Sequence, residues 1–170
     1  FAIPFSCFHK YSRSDSISMN KFITPLKEHY NNFNNINGEL LPAFIKWETS
    51  KSDYLKIDPE KLSNDPEKSE NFGDNWIDEL DSNDQDIVKE YFLRFDHLKK
   101  NFGFINFRIG SKDFTIKLSN RKEGIEFNTP RNSLIFSIKN NIFDDLLIGN
   151  FMKTKLINVP SLYPNFTPHV

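Results

Sequence analysis

Cysteine is all but missing from this 170-residue chain. The lone thiol, Cys7, excludes an internal disulfide and points to a reducing, cytoplasmic compartment. No run is long and apolar enough to make a membrane-spanning helix, and nothing resembles a secretory leader, so no membrane partner is expected. There is no P-loop, no GxGxxG, no paired-cysteine zinc spacing and no GxSxG elbow. Those gaps count against a self-contained nucleotide, zinc-finger or serine-hydrolase unit. Excess charge is lacking too: 22 Lys and Arg against 23 Asp and Glu leave a formal net charge of −1. A chain so balanced has no bulk attraction for nucleic acid, and none is expected as a partner.

The charge is nevertheless unevenly spread. Residues 1–50 carry about +1, residues 51–90 about −8 and residues 91–170 about +6. The acidic part reads as a solvated surface segment. The basic part is scattered over strands and turns, so no polyanion groove is expected there. Phenylalanine is plentiful, at 18 residues. Rings in such number furnish a core, or line a cavity for an apolar ligand; the core is the commoner use.

The pattern that organises the chain runs from Phe102 to Phe127. Ile105, Phe107 and Ile109, then Phe114, Ile116 and Leu118, then Ile125 and Phe127 alternate with polar residues. Period two means that each strand has one buried and one wet face. Gly110 to Asp113 and Asn120 to Gly124 interrupt the pattern with turn formers. The expected fold class is α+β: an antiparallel β-meander with helices packed on one face. Length fits one domain, or one and a fragment. Three stretches are distinguished: an N-terminal segment, 1–47; an acidic, loop-rich linker, 48–81; and an α+β domain, 82–170. The chain opens without methionine and closes on Pro168-His169-Val170, so a piece of a longer polypeptide is expected.

Helix signals flank the meander. Thr24-Pro25 reads as N-cap and first helical residue of a helix to Phe33. Leu40 to Trp47 reads as extended. Trp76, Ile77 and Leu80 could anchor a short turn within the linker. Ser82 with Gln85 reads as a capping box, followed by Val88, Tyr91, Phe92, Phe95, Leu98 and Phe102 at helical spacing. Thr129-Pro130 opens another helix with Leu134, Ile135 and Ile138 as its apolar stripe. A short helix in Ile142–Phe151 would end on Gly149. Val159 to Pro168 reads as extended, lying against something further.

Few residues offer chemistry. His9 follows the apolar run Phe1–Phe8 and suits a metal ligand or a general base. A loop histidine hydrogen-bonded to its neighbours is the commoner use, and His29, His97 and His169 are too scattered to join it. Tyr11, Arg13 and Asp15 form a candidate substrate-binding set. Arg13 offers a fork for carboxylate or phosphate, and Asp15 could orient His9; the alternative is a solvated loop with a local ion pair. Asp144-Asp145 could bind a cation, although acids in a first helical turn more often answer the helix dipole. Cys7 reads as a buried, inert thiol. The sequon Asn165-Phe166-Thr167 reads as chance.

The stretch Ile3-Pro4-Phe5-Ser6-Cys7-Phe8-His9-Lys10-Tyr11-Ser12-Arg13-Ser14-Asp15-Ser16 resembles the end of the catalytic part of metallo-β-lactamase-fold hydrolases. The resemblance implies that His9 is the last ligand of a zinc or iron site whose other ligands lie upstream. Residues 1–47 would then close an upstream catalytic domain of the same polypeptide. The family's His-x-His-x-Asp-His signature is absent from this chain. A second likeness, carried by the order helix, strands, helix and by Phe143 to Phe151, is to sterol-carrier-protein-like modules. Three functions follow as expectations. The first is a non-catalytic accessory domain of a metal-dependent hydrolase, contributing a loop to the active-site rim. The second is a stand-alone binding module whose Phe104, Phe114, Phe136 or Phe151 lines an apolar cavity. The third is a structural domain that forms a homodimer.

Overall fold

A computed structural model describes residues 10–33, 37–42, 44–57, 65–167 and 170. The chain divides into two compact units. One gathers the described residues of Phe1–Arg13 and Ile17–Pro66; the other consists of Ser14–Ser16 and Glu67–Val170.

In the first unit a 3-10 turn, Ile17–Phe22, precedes helix α1, Leu26–Phe33. The Pro25 carbonyl accepts from Glu28 N at 2.9 Å, so the helix starts where the Thr-Pro pair placed it, within a residue. The Tyr30 hydroxyl donates to the carbonyl of buried Leu41 at 3.3 Å. Strands β1, Ile45–Glu48, and β2, Asp53–Lys56, pair as an antiparallel hairpin. Trp47 and Tyr54 are directly opposed, with ring centroids 6.5 Å apart and nearly parallel planes. Such a cross-strand aromatic pair is what holds a short hairpin closed. β2 lies within the stretch that composition alone marks as loop.

The second unit is a four-stranded sheet with helices on one face. A 3-10 turn, Ser69–Phe72, ends at Gly73, whose φ of 82° is readily adopted only without a Cβ. Helix α2, Ser82–Leu93, is capped by Asp81 rather than Ser82. The Asp81 side chain accepts from Asp84 N and the Asp84 side chain from Asp81 N, a capping box shifted one residue from the expected one. The apolar series from Val88 to Phe102 fits one unbroken helix, but the chain breaks at Arg94-Phe95. Phe95 is extended (φ −92°, ψ 99°), and α3, Asp96–Asn101, restarts beyond it. The Arg94 guanidinium lies over the rings of both Tyr91 and Phe95, at 4.0 and 4.6 Å. That pairing shields the break.

Strands β3, Phe104–Ile109, and β4, Lys112–Lys117, form the expected antiparallel hairpin. Strand β5, Gly124–Asn128, corrects the meander: it lies on the other side of β3 and runs parallel to it. The connection from Leu118 to Glu123 therefore crosses the start of β3. Gly103 makes the crossing possible. Its N donates to Glu123 O at 2.7 Å, and its O accepts from Leu118 N and Ser119 N at 2.8 and 3.0 Å. A Cβ on residue 103 would sit 1.9 Å from Arg121 O, so only glycine admits the loop. Helix α4, Arg131–Lys139, and the single turn α5, Asp145–Ile148, follow. Gly149 closes α5 as its C-cap, with right-handed backbone (φ −62°). Strand β6, Lys153–Ile157, completes the order β4-β3-β5-β6, antiparallel to β5.

The buried face of this sheet, with Ile105, Phe107, Ile109, Ile116, Ile125 and Phe127, joins Val88, Phe92, Leu134 and Phe143 in one core. The Phe92 and Phe143 rings meet edge to face at 5.0 Å, and Phe127 and Phe143 at 5.3 Å. Phe166 is wholly buried among them, 5.4 Å from Phe127. The C-terminal stretch thus lies against this unit's own core. Leu80 is buried as an anchor of the preceding strap, whereas Ile77 is exposed.

Pro130 occupies the N-cap position of α4 and brings no side-chain acceptor. A carboxylate 59 residues away supplies one: Asp74, almost fully buried, accepts from Ser133 N at 2.9 Å and from the Ser133 hydroxyl. Arg131 donates through Nε to buried Asp84 at 2.6 Å. The starts of α2 and α4 are thereby tied together.

Candidate functional site

Of the residues that sequence reasoning singled out, some lie outside the described residues and others are divided between the two units. His9 and Cys7 lie outside the described residues. Tyr11 and Arg13 belong to the first unit and Asp15 to the second. The Tyr11 backbone is bracketed by the Asn20 amide, which accepts from Tyr11 N at 2.8 Å and donates to Tyr11 O at 2.9 Å. Asp15 accepts from Trp76 Nε1 at 2.8 Å. Asp145 stands in the first turn of α5. Among the described residues no three His, Cys, Asp or Glu side chains come together as a metal ion would require. No helix among them is long and apolar enough to cross a membrane. Of the four rings expected to line an apolar cavity, Phe136 is 63% exposed.

The outer face of the four-stranded sheet carries a more ordered array. Pleating places Asp113, Thr115 and Lys117 of β4 on this face, with Phe104, Asn106 and Arg108 of β3. Gly124, Glu126 and Asn128 of β5 continue it, and Lys153, Lys155 and Ile157 of β6 complete it. Register aligns these residues in rows across the strands. In the middle row the Thr115 hydroxyl donates to Asn106 Oδ1 at 2.8 Å and Asn106 Nδ2 to Glu126 Oε2 at 3.4 Å; Lys155 faces Glu126. In an adjoining row Arg108 grips Asp113 with Nε and Nη2 at 2.9 and 3.3 Å. The guanidinium holds the Asp113 carboxyl below its ordinary range, and Asp113 holds Arg108 above its own. Beyond that row, at the β3–β4 turn, Glu79 is held low in the same way, by hydrogen bonds from Lys112 and Ser111.

The third row differs. Here Lys117, Phe104, Gly124 and Ile157 lie side by side, next to the loop that crosses at Gly103. An open groove of about 390 Å³ is lined by Phe104, Thr115, Lys117, Ser119, Asn120 and Arg121. Its loop wall is rigidly held, because Ser119 Oγ donates to Phe102 O at 2.8 Å and accepts from Arg121 N at 3.2 Å. Among the described residues neither the Lys117 ammonium nor the Arg121 guanidinium has a carboxylate partner. Glu123 stands further along the same loop, where its carbonyl serves Gly103. Two cations thus share one groove with an aromatic ring, an arrangement able to hold an anion.

Sequence reasoning missed this groove because it took the basic residues as scattered. A meander would have sent the loop after Lys117 away from β3. The signal that was available is the pair Gly103 and Gly124, each interrupting the alternation where a neighbour must come close. Comparison with family models, curated proteins and solved structures found no match for the chain.

Proposed function

We propose that the Glu67–Val170 unit is a recognition module, not a catalyst, and that it takes an anionic ligand on the outer face of its sheet. The observation that supports this reading is the convergence of Lys117 and Arg121, without carboxylate partners among the described residues, on the groove beside Phe104. Arg108 on the same face is matched by Asp113, and Lys112 at its turn by Glu79; Lys153 and Lys155 of β6 have no carboxylate partner among the described residues, but they do not line the groove. An unmatched ammonium and guanidinium attract phosphate or carboxylate, and the guanidinium adds a planar fork. The groove is open, so salt weakens the attraction.

Titration of the full chain with inorganic pyrophosphate at low salt, followed by amide chemical shifts, tests the proposal. Shifts are expected at Phe104, Lys117 and Ser119 to Lys122, weakened about fivefold or more in the Lys117→Gln/Arg121→Gln variant. Shifts spread evenly over unrelated lysines, or unchanged binding by the variant, would overturn it.

The likeness of Ile3 to Ser16 to metallo-β-lactamase-fold hydrolases supports a wider proposal. The module would serve as an accessory domain of a cytoplasmic metal-dependent hydrolase, with His9 at the rim of a zinc or iron site completed upstream. Metal analysis of the purified chain is then expected to find no stoichiometric zinc or iron. Tight, stoichiometric metal would refute the placement of the remaining ligands elsewhere. A homodimer is proposed on the weaker ground of the sterol-carrier-like element order, and sedimentation at several concentrations tests it.

A further inference from the structure

Resting on the reading of this groove as an anion site, we propose that its ligand is a nucleotide: a base stacks on Phe104 while its phosphate lies between Lys117 and Arg121. The orientation of the Phe104 ring carries the inference. An ideal Cβ on Gly124 would lie 2.4, 2.5 and 2.6 Å from ring atoms Cζ, Cε1 and Cε2. A point in the ring plane beyond its tip would be much nearer to Cζ than to the other two. Near-equal distances put the point above the ring, so Phe104 lies face-on over the bare backbone of Gly124. Its other face then turns away from the sheet.

A ring fixed in this way is a stacking platform that needs little further ordering on binding. Flat π-systems pair with such platforms, and successive bases do so on exposed sheets of single-strand-binding domains. The surrounding groups suit the rest of a nucleotide. Lys117 is opposite Phe104 in register, and Arg121 stands on the loop clamped at Gly103. Asn120, between them on the groove wall, has no hydrogen-bond partner for its amide among the described residues. An amide offering a donor and an acceptor side by side matches the adenine edge. Thr115 and Ser119 are already engaged, with Asn106 and with Phe102, and hold the walls in place. A carboxylate-bearing aliphatic ligand would satisfy the cations but leave the platform unused.

The test compares AMP with ribose 5-phosphate, which share the phosphate and differ in the base. Both are titrated into the full chain at low salt and followed by amide shifts. AMP is expected to bind about tenfold more tightly, the effect of one stacked base. Phe104→Leu covers Gly124 without offering a π-face. It is expected to erase that gap, so that AMP and ribose 5-phosphate bind alike. Lys117→Gln/Arg121→Gln is expected to weaken both ligands. Equal affinity of the parent chain for AMP and ribose 5-phosphate would overturn the nucleotide inference and leave the anion site standing. Failure of both to bind would overturn the two together. The comparison on the parent chain decides the matter even if Phe104→Leu does not fold.

Discussion

Replacing Gly103 by alanine is expected to loosen the sheet and the candidate site at once. The backbone of Gly103 is outside the left-handed region, so an alanine there meets no conformational penalty of its own. What it meets is Arg121. The new Cβ would lie 1.9 Å from the carbonyl oxygen and 2.7 Å from the carbonyl carbon, and a backbone carbonyl cannot rotate aside as a side chain can. The crossing loop must lift. Lifting breaks the bond to Glu123 O and the two from Leu118 N and Ser119 N. At about 1 kcal/mol each, three lost bonds amount to about 3 kcal/mol. Urea denaturation should therefore show a midpoint lower by about 1–3 M with an unaltered slope. Gly73→Ala is the contrasting control. There φ is 82° but nothing lies within 4 Å of the new Cβ, so only backbone strain of about 1–2 kcal/mol is at stake. A Gly103→Ala protein within 1 kcal/mol of the parent, or less affected than Gly73→Ala, would refute the crossing-loop argument.

Three further outcomes are expected. Asp74→Ala removes the remote cap of α4 and should destabilise by about 2 kcal/mol in the same denaturation assay; a loss below 0.5 kcal/mol would mean water replaces the carboxylate without cost. Thr129→Val should be neutral or stabilising by up to about 1 kcal/mol, because Thr129 Oγ1 is buried without a hydrogen-bond partner, and a clear loss of stability would reveal a hidden one. The Asp113 carboxyl, depressed mainly by its hydrogen bond from Arg108, should titrate at higher pH in Arg108→Gln. The sign follows from linkage. A carboxyl with a lowered folded-state pKa contributes stability above its unfolded pKa, and the contribution disappears as pH falls through the folded value. Carboxyl carbon shifts that titrate identically in parent and variant would contradict that coupling.

Much of the second unit was legible because burial imposes a period. Ile105, Phe107 and Ile109 alternate, and they do line the core. Alternation reports which face a residue occupies but not which strand stands beside it. That is why β5 was expected as the third strand of a meander and is instead parallel to β3. Likewise Val88, Tyr91, Phe92, Leu98 and Phe102 share a helical face whether or not the helix bends at Phe95. Asp81 and Ser82 are neighbouring cap formers, and the choice fell to the one whose third residue, Asp84, also meets Arg131. β6 left little trace, since Lys153, Thr154 and Lys155 are all exposed. Phe166 looked like part of a trailing segment because a single buried ring has no period. The candidate site was illegible for a related reason: Lys117 faces Phe104 across the hairpin, but Arg121 joins them only through a loop folded back at one glycine.

The rims of the four-stranded sheet have a consequence of their own. Its outermost strands are β4, with Lys112 and Lys117 at its two ends, and β6, with Lys153 and Lys155. Two copies joined antiparallel along β4 in matched register would set Lys112 against Lys117 twice over. Like charges and solvated ammonium groups along an open rim discourage such annealing. Growth of this sheet into ribbons is thereby resisted by rim lysines, one of which, Lys117, also lines the groove.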